Sequence, residues 1–240
     1  MTQQTRPLAK VGLKAAVTRK GTVRRSPSRT PGRDASLTDQ NHDRRTAAML
    51  DSVRAWLEDA RSVDWAVYSA IALTPTPSLD RQLSTLSHAA NYSRLWIASA
   101  AVLALLGGRQ GRRAALEGLA SIAATSAVVN LAVKAVGRRK RPDRARAGVP
   151  QARHVAMPMS RSFPSGHSAA AFAFATGVGH RMPVAAVPLH AAAGVVAYSR
   201  VHTGVHHPSD VVVGSVVGTA LAQLTTRTLN HYCKDRGTQA

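Results

Sequence analysis

AALEGLASIAATSAVVNLAV, residues 114–133, holds apolar and small side chains along almost its whole length, with Glu117 as its single charge. As a helix this stretch is long enough to cross the hydrocarbon layer of a bilayer, which takes about 20 residues. KAVGRRKRP, residues 134–142, follows at once, so the apolar run ends in a block of cations. Four shorter apolar stretches flank it: Leu95 to Leu106, Ser168 to Gly179, Pro183 to Tyr198 and Val211 to Leu224. Each needs its flanking residues to reach spanning length. All five are built mainly from Ala, Val, Gly and Ser, the small residues that let membrane helices approach closely.

A soluble bundle of Ala-rich helices is the competing reading. It fails on charge: between Leu95 and Leu224 the only acidic residues are Glu117, Asp143 and Asp210, too few to solubilise five outer faces. The expected fold is therefore all-α, a membrane-embedded bundle of five to six helices over residues 93–232. Residues 48–92 are expected to form amphipathic or interfacial helices. Met49, Leu50, Val53, Trp56 and Leu57 recur at helical spacing, while the run from Val63 to Leu73 stops at Thr74-Pro75-Thr76-Pro77 and is too short to span. Residues 1–47, with eleven basic and three acidic side chains among Ser, Thr, Pro and Gly, read as a disordered basic tail. That tail shows no secretory signal, and Met49 is a candidate alternative start.

The net charge of +20 favours partners rich in phosphate or anionic lipid. Residues 1–47 and 134–163 carry most of it. A nucleic-acid binder would use the same charge, but Ala-rich stretches poor in aromatics offer bases no stacking platform, so no specific nucleic acid is expected. The single cysteine, Cys233, rules out an internal disulfide and Cys-rich metal sites.

Three clusters carry chemistry. In the first, Lys134 and Arg141 stand seven residues apart, close to two helical turns, and can converge on one anion. In the second, Pro164-Ser165-Gly166-His167 precedes the third apolar stretch, where the free N–H groups of a helix start form an anion cradle. In the third, Arg200 precedes His206 by six residues and Asp210 follows it by four, so the carboxylate can hold one imidazole nitrogen and leave the other to attack. Each alone has a plainer reading: interfacial cations, a helix cap, a carboxylate at a helix start. Together they lie at helix ends that alternating crossings bring to one side of the membrane. The set then comprises cations to clamp phosphate oxygens, a histidine to attack phosphorus and another to protonate the leaving alcohol.

These three clusters, in this order, resemble the signature of the type 2 phosphatidic acid phosphatase superfamily, which also holds bacterial acid phosphatases and vanadium haloperoxidases. The resemblance covers Lys134 to Asp210 with flanking helices. It implies that Lys134, Arg141 and Arg200 bind phosphate with Ser165 and Gly166, and that His167 is the general acid. It further implies that His206 becomes phosphohistidine, that Asp210 orients it, and that neither metal nor cofactor is needed. The expected activity is hydrolysis of a lipid phosphomonoester or diphosphate at the cell membrane by a multi-pass protein, the substrate being phosphatidic acid, a polyprenyl phosphate or diphosphate, or a polyprenyl-linked sugar phosphate. A vanadium-dependent haloperoxidase is the alternative within the same pocket.

Overall fold

The computed structural model of the chain describes residues 32–133 and 139–237, with side chains over 44–131 and 139–231. Lys134 and the side chain of Cys233 lie outside the described residues. Two compact units are distinguished, one ending at Val53 and the other beginning at Arg54. The elements are α1 (Gly32–Leu73), α2 (Pro77–Ala89), α3 (Arg94–Leu106), α4 (Gly108–Val128), α5 (Gly166–Arg181), α6 (Pro183–His202) and α7 (Pro208–Gly237). Among the described residues there is no strand, as the all-α reading expects.

Each of the five apolar stretches is a helix, α3 to α7. Two helical segments, Gly108–Leu131 and Pro183–His202, are long and apolar enough to span a membrane; α2 with α3 would make a third if that pair, bent by 66°, counts as one. The bend is local. Tyr92 and Ser93, in the short 3-10 turn between the two helices, both have positive φ, 54° and 57°.

Residues 1–31 of the stretch read as a disordered tail lie outside the described residues. Helix α1 starts at Gly32, inside the stretch read as disordered, and continues to Leu73 through what were expected to be separate amphipathic and interfacial pieces. The physical reason is composition: residues 33–74 contain neither Gly nor Pro, so no residue forces the backbone out of the helix although the apolar period is irregular.

Helix α5 sits at the centre and packs against α4, α6 and α7. Its residues from Ser168 to Val178 are mostly buried, with Phe174 meeting Trp96 of α3 at a ring-centroid distance of 5.5 Å. Glycines set the close approaches. A Cβ on Gly118 of α4 would fall 2.8 Å from the Phe174 ring, and one on Gly177 of α5 would fall 2.6 Å from the Ser121 hydroxyl. On α7, a Cβ on Gly214 would come within 2.5 Å of the Ser165 carbonyl oxygen, and one on Gly218 would strike the Ala169 carbonyl.

The loop between α4 and α5 is fastened by Arg153, whose side chain is fully buried. Its Nε donates to Asp80 at 2.8 Å, and its other nitrogens donate to the carbonyls of Ile71, Ala72 and Thr74 and to the Thr76 hydroxyl. These acceptors include the end of α1, whose last carbonyls have no partner within the helix. Asp80 also receives His202 Nε2 of α6 at 3.0 Å, so one guanidinium and one carboxylate join three helices and a loop. Arg153→Ala leaves the Asp80 charge buried without its cation, and the expected cost is about 3–5 kcal/mol. In a detergent thermal melt this should appear as a fall in Tm on the order of 10 °C. A melt unchanged within two degrees would show that the network contributes nothing to the fold.

Candidate active site

The first turn of α5 begins at Gly166, with Ser165 as its N-cap. The Ser165 Oγ accepts from the Ser168 backbone N–H at 3.4 Å and from the Ser168 hydroxyl at 2.9 Å. Both of its acceptor sites are thus engaged, while its own proton remains to donate. The capping role and the phosphate-facing role expected for Ser165 are therefore compatible. The Ser165 N–H donates to the Asp210 carbonyl at 2.9 Å, which locks the start of α5 to the start of α7.

The turn between α6 and α7 carries His206. Its backbone N–H and that of Val205 both donate to the Arg200 carbonyl, at 3.2 and 3.1 Å, so Arg200 and His206 belong to one tight structure. The His206 ring is 3% exposed. Arg141 Nη1 lies 3.2 Å from His206 Nε2 and donates to the Val205 carbonyl at 2.8 Å. A guanidinium can only donate, so Nε2 is the unprotonated nitrogen and Nδ1 carries the proton. Nδ1 faces Asp210 Oδ2 at 3.6 Å, longer than a hydrogen bond.

Asp210 is completely buried and held from several sides. Oδ2 accepts from the Ser162 hydroxyl and, at 2.9 Å, from the His207 backbone N–H, while Oδ1 accepts from Arg139 Nη1 at 3.0 Å. Burial pushes this carboxyl up, but the His206 and His207 rings, the Ser162 hydroxyl and the His207 N–H outweigh it and hold Asp210 well below the usual carboxylate range. It is ionised at neutral pH. For His206, burial pushes the imidazole down to about 4; Asp210 pulls it up and Arg141 lowers it further. A neutral ring with an in-plane lone pair on Nε2 results, which is the state a nucleophile needs.

His167 lies one residue into α5, and its Nε2 pairs with the Asn91 side-chain oxygen at 2.9 Å. Arg200 is 1% exposed and turns Nη1 to Ser87 of α2, bonding its hydroxyl and, at 3.3 Å, its carbonyl. Arg141, Ser165, Arg200, His206 and Asp210 are thus neighbours, Arg200 joined through its carbonyl and Ser165 through its N–H while the Arg200 guanidinium turns to Ser87, with Gly166 and His167 on the first turn of α5.

Several contributors were not read from the sequence. Arg139 bridges Asp210 and Asp64 of α1, and Asp64 in turn accepts from the Ser209 N–H and hydroxyl, both at 2.8 Å. In the sequence Arg139 is one more member of a basic run. Asp64, by contrast, is a lone acid inside the apolar run Val63 to Leu73, which was a usable signal. Arg144 fastens the His206 turn from outside, donating to the Gly204 carbonyl at 3.3 Å and to Val155 at 2.9 Å. Ser87 and Asn91, which hold Arg200 and His167, come from the α2 side and belong to none of the three motifs. Among the described residues, no group of three or more His, Cys, Asp or Glu side chains could hold a metal ion.

A buried, neutral imidazole with a guanidinium beside one nitrogen and an ionised carboxylate facing the other is the arrangement of a site that handles an oxyanion. The comparisons place it further. The PAP2 superfamily pattern matches residues 114–232. The chain is 32% identical over 161 residues to decaprenylphosphoryl-5-phosphoribose phosphatase of Mycobacterium tuberculosis, covering 64% of this chain and 82% of that protein. It is 34% identical over 164 residues to the protein of the same name in Mycolicibacterium smegmatis, covering 66% and 84%. A transmembrane PAP2-type phosphatidylglycerolphosphate phosphatase from Bacillus subtilis shares the fold, with a TM-score of 0.56 at 24% identity over 72% of this chain and 87% of that one. The chain belongs to the PAP2 superfamily and is a phosphatase.

Proposed function

We propose that this phosphatase removes a terminal phosphate from a polyprenyl-linked sugar phosphate, as a multi-pass protein of the cell membrane, through a metal-independent phosphohistidine on His206. The observation that carries the mechanism is the His206 ring itself, with Nδ1 toward an ionised, buried Asp210 and Nε2 beside Arg141. The substrate reading rests on the relatives, whose printed name specifies a sugar phosphate on a decaprenyl carrier.

In the first step the Nε2 lone pair attacks phosphorus, the bond from phosphorus to the leaving oxygen breaks, and His167 gives that oxygen a proton. Arg141 and Arg200, with Lys134 from the same motif, meet the charge on the three equatorial oxygens, and Ser165 and the Gly166 N–H add donors from the start of α5. In the second step His167 takes a proton from water, the water oxygen attacks phosphorus, and the N–P bond breaks. Inorganic phosphate leaves and both histidines return to their starting states.

The test is phosphate release by detergent-purified protein in EDTA from a polyprenyl-linked sugar phosphate, phosphatidic acid and a polyprenyl diphosphate, with and without vanadate. The sugar phosphate should be cleaved at least about tenfold more efficiently than the others, and vanadate should block it by occupying the phosphate site. A preference for phosphatidic acid would reassign the substrate. Activity that EDTA abolishes would remove the metal-independent mechanism.

A further inference from the structure

An in-line displacement places the leaving oxygen opposite the attacking nitrogen. The group that protonates it must stand within hydrogen-bond reach, so the leaving alcohol extends away from His206 toward His167. A cavity of about 350 Å³ opens there, against His167 and Gly166 of α5, between the Tyr92–Ser93 turn and the end of α4. That volume lies within the range of small-molecule sites.

The α4 wall of this cavity breaks two habits of the rest of the bundle. Hydroxyls in these helices ordinarily donate to the carbonyl one turn back: Ser121 to Glu117, Ser99 to Leu95, Ser215 to Val211, Thr225 to Leu221. Thr125 is 1% exposed, yet its hydroxyl has no hydrogen-bond partner among the described residues. An unmet hydroxyl inside an apolar span is costly and marks a place where a ligand group belongs. One turn further on, residues 129–133 form a π-helix, and Asn130 on that turn lines the same cavity. Such turns recur at functional sites because they widen the helix and redirect a side chain. Opposite, Tyr92 and Ser93 both adopt left-handed backbone, a costly choice for two consecutive non-glycine residues. The described lining offers the hydroxyls of Ser93, Thr125 and Ser126 and the Asn130 amide, and contains no Lys, Arg, Asp or Glu.

We infer that this cavity is the leaving-group subsite and that it recognises an uncharged, hydroxyl-bearing ring, a sugar, next to the cleaved phosphate, with Thr125 as a specificity-determining residue. Sugar hydroxyls are both donors and acceptors and match a lining of hydroxyls and an amide, whereas a diacylglycerol leaving group would leave those groups unmet. The inference rests on the phosphoryl-transfer reading above and sharpens its substrate.

Thr125→Val keeps the shape of the side chain and removes the hydroxyl. The measurement is kcat/KM for a polyprenyl-linked pentose 5-phosphate and for phosphatidic acid, in the same detergent, for wild type and variant. The ratio of the two should fall about tenfold in the variant, the order of one lost hydrogen bond to a buried site. Ser126→Leu, which fills the cavity instead, should lower the ratio further. A ratio unchanged in both variants, whether or not absolute rates drop together, would overturn the assignment and leave Thr125 a structural residue. Wild-type protein that cleaves phosphatidic acid but not the pentose phosphate would sink the substrate reading and this assignment with it, a result visible before any variant is made.

Discussion

Phosphate release by His206→Ala is expected to fall about 10³-fold or more below wild type, with the protein still folded. The loss is large because no described neighbour can replace the proposed nucleophile: His207 directs its Nδ1 to Asp210 at 3.5 Å and packs near Tyr68, so its ring belongs to the carboxylate's surroundings. The fold should survive, since the buried charges of Asp210 keep Arg139 and the Ser162 hydroxyl. Brief reaction with radiolabelled substrate should give wild-type protein an acid-labile label and the variant none. Activity within tenfold of wild type, or a label that persists in the variant, would show that another group attacks.

The second large effect is expected at a residue outside the set read from sequence. Arg139 is the cation between two carboxylates, Asp210 and Asp64, whose side chains are 0% and 6% exposed. Arg139→Gln removes the cation that ties Asp210 to Asp64 and Ser209, and the Asp210 carboxylate loses the contact that fixes the position of its Oδ1. A carboxylate that shifts no longer faces Nδ1 of His206 in the right place, so kcat should drop on the order of a hundredfold while KM changes little. The His206 and His207 rings, the Ser162 hydroxyl and the His207 N–H that hold Asp210 well below the usual carboxylate range all remain in the variant, so Asp210 stays ionised and the acid limb of kcat is expected to stay in place. Arg139→Lys should recover part of the rate, because an ammonium supplies the charge but cannot bridge two carboxylates as a planar fork does. A rise in KM alone, with kcat and its pH profile intact, would instead make Arg139 a direct phosphate ligand.

Arg139 and Asp64 also show where sequence reading stops. Arg141, Ser165, His167, Arg200, His206 and Asp210 stand out in the sequence because they follow a spacing: a helix start after Pro-Ser-Gly, a carboxylate one turn after a histidine, cations at the end of a span. The bundle was legible for a related reason, since α3 to α7 each follow an apolar stretch. What holds those residues is spread over elements that carry no such pattern. Asp64 comes from α1, 75 residues before Arg139, and Ser87 from α2, 113 residues before Arg200, and nothing in the local sequence says which buried side chain will meet which. Helix α1 has no regular apolar period to mark it, and its signal in the sequence is the absence of Gly and Pro from residue 33 to 74.

The contact between α5 and α7 has a consequence for how tightly the site is gauged. At Gly214 and Gly218 nothing larger than a hydrogen atom separates the α7 backbone from the carbonyls of Ser165 and Ala169. His167 rides on α5 and the carboxylate of Asp210 on α7, so the spacing of these two groups is machined by two glycines one helical turn apart. A side chain there would act like a shim driven into a joint, displacing one half of the reaction from the other while every group named in the chemistry stayed in place. Such a change would be silent in any inventory of active-site residues and plain in the rate.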